Sequence, residues 1–234
     1  MKKWLERFGT YFLWWPYGLA LLFLPLLVRV KVVGERPEPP CVLAVIHTGG
    51  LEPLYVAKAA RFWRMPALFS VDPRYPFLRP FYWAFWRYEV RKDERAFNRR
   101  TLKKAVEYLK NKGMLMVFPE GARFWEVRLY PGAAVLAKRA GVPLIPVGLE
   151  NAYVYEPGAE NLPFLKGAWR VLKKTKQLRC VRVHFGEKIF PDPKLPEKED
   201  VERMMQELAK AFRRFYQDFY GLPGPVWLRE KEAE

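Results

Sequence analysis

Histidine, cysteine and serine are scarce in this 234-residue chain, with two, two and one copies respectively. Cys41 and Cys180 form no Cys-x-x-Cys unit and no disulfide framework, and the expected compartment is a reduced, cytosolic one. His47 and His184, with no matching cysteines, leave too few soft ligands for a zinc centre, so no metal is expected. The lone Ser70 lies outside any Gly-x-Ser-x-Gly elbow, which argues against a serine hydrolase. Serine, asparagine and glutamine are sparse beside many arginines, glutamates and prolines, a bias resembling that of thermophile proteins. No internal repeat is present.

Apolar residues make up 50% of the chain and aromatics 16%, which excludes a disordered polymer. The formal charge of +16 calls for an anionic partner. Basic residues run from Lys2 to Arg229, interleaved with Trp, Tyr and Phe. That arrangement fits an anionic membrane surface at least as well as a nucleic-acid stripe, and no nucleic acid is expected. Residues 8–28 carry no charge and would extend about 30 Å as one helix, close to the hydrocarbon thickness of a bilayer. Pro16 and Pro25 interrupt that helix. Tyr11, Trp14, Trp15 and Tyr17 suit the interface. Cations flank both ends and no small-residue cleavage site precedes Arg29. The expected N-terminal segment, residues 1–33, is therefore membrane-associated through residues 8–28, either as a helix or bent hairpin in one leaflet or as a single span.

From residue 34 to 222 buried strand-like runs alternate with amphipathic helical ones. Strands are expected at 41–46, 67–71, 88–90, 114–118, 144–147 and 181–185, with helices at 54–63, 93–112, 132–140 and 200–220. Residues 27–33 alternate as an edge strand would. The expected fold is α/β, a mixed, largely parallel sheet flanked by helices, preceded by the membrane-associated helical segment and followed by a loose tail, 223–234. The aromatic stretch 72–91 is too apolar for one helix face, so part of it is read as core and part as a lipid or acyl contact.

Chemistry concentrates where strands end. The run 41–46 stops at His47, followed by Thr48-Gly49-Gly50 and by Leu51-Glu52-Pro53 at a helix start. A sharp turn brings His47 and Glu52 together, and a carboxylate-held imidazole is either a proton acceptor or a packed structural pair. Arg91 follows the strand at 88–90. Phe118-Pro119-Glu120-Gly121-Ala122-Arg123 follows another, and 142–148 reads Val-Pro-Leu-Ile-Pro-Val-Gly. His184, inside an alternating strand, is read as structural.

These four segments, in this order, resemble the His-x4-acid, arginine-ending, Phe-Pro-Glu-Gly-x-Arg and proline-strand blocks of the glycerolipid acyltransferases, the 1-acylglycerol-3-phosphate acyltransferase family. The resemblance implies an O-acyltransferase that moves a fatty acyl group from acyl-CoA or acyl-carrier protein to a lysophospholipid hydroxyl. The simplest such reaction converts 1-acylglycerol-3-phosphate to phosphatidic acid. His47 and Glu52 would be catalytic, as base and orienter. Arg91, Glu120, Gly121 and Arg123 would bind substrate, with the arginines on phosphate or, on the plainer reading, simply solvated. No cofactor is needed beyond the acyl donor, and the expected location is the cytoplasmic face of the cell membrane. Glu52 stands where aspartate is commoner, as in relatives that acylate lipid A precursors or glycolipids, so a glycolipid, sugar or other hydroxylated lipid is the rival acceptor. A basic, non-catalytic membrane or nucleic-acid binding module is the rival of another class.

Overall fold

The computed structural model describes residues 28–47, 52–61, 65–69, 87–91, 94–121, 128–152, 173 and 180–224. In chain order its elements are β1 (Arg29–Val33), β2 (Cys41–Val45), α1 (Glu52–Ala59), β3 (Ala67–Phe69) and β4 (Arg87–Glu89). They continue with α2 (Arg95–Lys110), β5 (Met114–Val117), α3 (Gly132–Ala140), β6 (Leu144–Glu150), β7 (Cys180–Phe185) and α4 (Glu197–Tyr220).

The seven strands form one sheet in the order β1-β7-β6-β2-β5-β3-β4. Every neighbouring pair is parallel except β6 and β7. The expected mixed, largely parallel sheet flanked by helices is what the chain forms. Its central strands β2 and β5 are apolar and buried at every position, as strands covered on both faces must be. The connection through α1 steps along the sheet in one direction, whereas those through α2 and α3 step in the other. Right-handed crossovers therefore place α1 on one face and α2 and α3 on the opposite one. α4 joins the second group, packing on α3 and β6, while α1 lies over β1 and β7.

The sequence boundary at residue 33 needs correcting. Val30↔Val181 and Val33↔His184 are paired positions of β1 and β7, so residues 29–33 belong to the sheet and the α/β unit begins before residue 34. Alternating Arg29 and Lys31 with valines marks an edge strand, whose polar residues face water while Val30 and Val32 pack on the core. The membrane-associated reading of residues 8–28 falls on residues outside the described ones except at Val28, which is buried in the core. Nearly all of the aromatic stretch and the tail beyond Gly224 also lie outside them. Among the described residues no helix is long and apolar enough to cross a membrane.

α4 is the longest helix among the described residues and carries the stripe Val201, Met204, Leu208, Phe212 and Phe215, all buried. It starts three residues earlier than its apolar pattern, because Glu197 and Glu199 are polar yet favourable in a first turn. Two features fix its position. Near its start, Asp200 is fully buried and takes Lys138 Nζ from α3 at 3.0 Å and Arg203 at 2.6 Å. Near its end, Gly148 of β6 lets the helix settle on the sheet. A Cβ on Gly148 would meet Phe215 at 2.7 Å and Phe219 at 2.9 Å.

Gly148→Ala must therefore displace two rings of α4. The expected loss is about 1–3 kcal/mol of stability, the usual effect of overpacking a dense core, read from the urea midpoint at unchanged slope.

Candidate active site

β2 ends between β5 and β6, at the carboxyl edge of the parallel strands, where open α/β sheets bind their ligands. The register Ala44↔Val117, continued three residues, sets His47 opposite Glu120. The His47 backbone N–H donates to Glu120 Oε2 at 2.7 Å. On the other side, Glu52 opens α1 with its side chain only 1% exposed, and its Oε1 lies 2.9 Å from His47 Nδ1. Pro53 sits in the first turn of α1, where a missing N–H leaves nothing unsatisfied. The His47 side chain is 22% exposed, so one edge of the imidazole stays open to solvent while Nδ1 is held. Phe118 packs against the ring with centroids 5.1 Å apart.

The electrostatics follow from this packing. Burial alone would push the His47 imidazole below its ordinary value. The charge and hydrogen bond of Glu52, helped by the charge of Glu120, outweigh burial and hold it above. Glu120 is also shifted upward, here by burial itself, which raises its carboxyl to about 7 against the His47 N–H and the Tyr216 hydroxyl that would keep it ionised. Tyr216 Oη donates to the same oxygen, Oε2, at 3.0 Å. Glu120 Oε1 is buried and has no hydrogen-bond partner among the described residues.

Gly121 holds a left-handed conformation, φ +75°, in the turn that Gly121 N–H closes on Phe118 O. A Cβ there would come within 3.1 Å of the Tyr130 ring. Glycine is thus the residue that lets the chain fold back immediately after Glu120.

Arg91 emerges from β4 at the same end of the sheet but three strands away from β2, about 14 Å at ordinary strand spacing. Its guanidinium is already engaged. Nε and Nη2 reach the two oxygens of Glu89 at 2.9 and 3.3 Å, Nη1 reaches Glu94 at 3.2 Å, and Phe97 lies under the plane at 4.0 Å. Arg123, like Thr48, Gly49 and Gly50, lies outside the described residues. The structure thus brings together His47, Glu52, Glu120 and Gly121, and places Arg91 on the same edge without contact to them.

Sequence reasoning passed over Tyr216 and Glu89. Tyr216 looks like one more aromatic in a core stripe. Its hydroxyl is the only sign that this stripe touches something polar. Glu89 does carry a signal: a carboxylate between Tyr88 and Val90 on a short strand, 1% exposed, has to be paired. His184, read as structural, is held 2.8 Å from Glu150 and against Phe219, on the antiparallel side of the sheet.

The acyltransferase family model matches residues 29–150, just over half of the chain. Among solved structures, the chain is similar to the 1-acyl-sn-glycerophosphate (LPA) acyltransferase PlsC from Thermotoga maritima. The match has 16% identity and a TM-score of 0.52, and covers 92% of this chain and 83% of that one. At that identity the likeness speaks for the fold. No curated protein matches the sequence.

Glu120 makes folding stability depend on pH. Its folded-state carboxyl titrates near 7 against 4.5 ordinarily. Below 4.5 both folded and unfolded chains hold the proton, and its contribution is fully present. Between 4.5 and 7 only the folded chain holds it, and that contribution is lost as pH rises. Glu120→Gln, which carries no such proton, should therefore gain on the natural protein by up to about 3 kcal/mol between pH 4.5 and 7.5, measured by urea unfolding at several pH values.

Proposed function

This chain belongs to the acyltransferase family, and from that premise we propose that it esterifies the free hydroxyl of a lysophospholipid, most simply 1-acylglycerol-3-phosphate, with acyl-CoA or acyl-carrier protein as donor. The observation that carries this reading is the 2.9 Å contact between His47 Nδ1 and a buried Glu52, at the carboxyl end of the central strand.

The mechanism follows from which nitrogen is occupied. Glu52 accepts the Nδ1 proton, so Nε2 presents its lone pair at the open edge of the ring. Nε2 takes the proton of the acceptor hydroxyl as that oxygen attacks the thioester carbonyl carbon. The C–S bond then breaks, and the imidazolium returns the proton to the departing thiolate. Glu52 stabilises the imidazolium between these two transfers, the role a carboxylate plays in a hydrolytic triad. No protein nucleophile takes part, in keeping with a single serine that lies outside any Gly-x-Ser-x-Gly elbow. Glu120 and Gly121 border the acceptor, and Arg91 and Arg123 are assigned to its phosphate. The charge of +16 and the uncharged stretch 8–28 support docking on the anionic cytoplasmic leaflet, where lysolipids reside.

One observation favours a second acceptor class. Glu89 and Glu94 already neutralise Arg91, so a phosphate reaching it would approach two carboxylates as well as the guanidinium. A glycolipid or sugar hydroxyl meets no such opposition. Labelled acyl-CoA offered with 1-acylglycerol-3-phosphate, other lysolipids and glycolipids separates the two, since transfer to the glycolipids alone would overturn the phosphate reading.

His47→Ala should lower kcat by about 10²–10⁴-fold, the range for a lost general base, while binding to anionic vesicles is retained. Wild-type turnover in that variant would remove the base assignment. Because catalysis needs neutral imidazole, activity should rise with pH through the elevated His47 titration. Glu52→Gln withdraws the charge that elevates it, so the acid limb of the kcat/KM profile should move to lower pH as kcat falls.

A further inference from the structure

The C-terminal helix reaches into the candidate site through one hydroxyl. Tyr216 is 2% exposed, and its Oη meets Glu120 Oε2 at 3.0 Å, the same oxygen that accepts the His47 backbone N–H at 2.7 Å. Two donors from distant parts of the chain, 96 residues and 73 residues away from Glu120, converge on one buried acceptor. Among the described residues Glu120 Oε1 has no hydrogen-bond partner, and the two Oε2 contacts are the hydrogen bonds that orient this carboxyl. Bare Gly148 supplies the clearance that brings this part of α4 down onto β6, with Phe215 over it.

We infer that Tyr216 is a positioning residue for acyl transfer: its hydroxyl sets the Glu120 carboxyl, and through the shared oxygen it sets the backbone and ring of His47. The inference rests on His47 being the base, and it extends the active site to an element well outside the residues 29–150 that the family model matches.

The physical chain has three links. Removing the hydroxyl takes away one of the two hydrogen bonds that favour the charged form of Glu120. A more readily protonated Glu120 exerts less attraction on the imidazolium of His47. The carboxyl, held by one donor, also turns more freely, and the His47 amide loses a fixed acceptor. Among the described residues, the titratable groups that act on His47 and Glu120 are these two on each other, Glu52 on α1 and Tyr216 on α4, while Tyr220 acts on Tyr216.

The test compares Tyr216→Phe with Tyr220→Phe in the full chain. Tyr220 lies one turn further along α4, and its hydroxyl donates to Leu149 O, so its loss removes a hydrogen bond from the same helix end without touching Glu120. Only two histidines are present, so imidazole NMR of the detergent-solubilised protein resolves them, with His47→Ala giving the assignment. Tyr216→Phe should move the His47 titration to lower pH and lower kcat about ten-fold with KM little changed, the scale of one lost hydrogen bond to a charged group. Tyr220→Phe should do neither. In a Glu120→Gln background, Tyr216→Phe should add nothing to the His47 shift, because the charge it acts through is gone. An unmoved His47 titration in Tyr216→Phe overturns the inference, and so does an equal shift in Tyr220→Phe. Absence of acyl transfer by the natural protein to every acceptor offered would instead overturn the proposed function, leaving the titrations to decide the positioning role.

Discussion

One carboxylate oxygen holds the site together. Glu120 Oε2 receives a backbone N–H from the end of β2 and a hydroxyl from α4, while Glu120 itself hangs from the turn after β5. Three chain segments far apart in sequence are thereby tied at one buried point. A polar group in such a place has no water to fall back on, so its partners must be placed well or it is destabilising. The burial that makes the link demanding also raises the carboxyl to about 7. The region around His47 is thus sensitive to the same pH range in which an imidazole works.

Two carboxylates flank one imidazole, and they act on it differently. Glu52 touches the ring at Nδ1 and is in a position to choose its tautomer. Glu120 touches the backbone and influences the ring mainly through its charge. The division follows from where each side chain starts. Glu52 comes from the first turn of a helix on one face of the sheet, whereas Glu120 comes from the neighbouring strand in register with His47.

The outer part of the carboxyl edge is organised separately. Arg91 is braced by Glu89, Glu94 and Phe97, and its backbone is clasped by Asn98, whose side chain both accepts from Arg91 N–H and donates to Arg91 O. A guanidinium held this firmly has a defined orientation and little excess charge. It lies about three strand spacings from His47 along the same edge. Parallel strands make this possible, since each delivers its C-terminal residue to the same side.

The local elements were legible in the sequence because each carries its own period and stop signals. Buried runs ending in His47 and Phe118, an amphipathic stripe on α4, and Gly141 closing α3 in a left-handed cap are all properties of a few adjacent residues. The pairing of His47 with Glu52 was equally accessible, since five residues around a glycine turn leave few alternatives. What tertiary structure alone decided is everything that depends on strand order. Neighbourhood of β2 and β5, the crossing of 73 residues that sets Glu120 against His47, and the arrival of Tyr216 from the last helix have no local signature. Nor does the inclusion of residues 29–33, whose alternation marks a strand but whose partner lies about 150 positions away. Short-range preferences specify the segments, whereas burial and the geometry of parallel crossovers specify which segment ends meet.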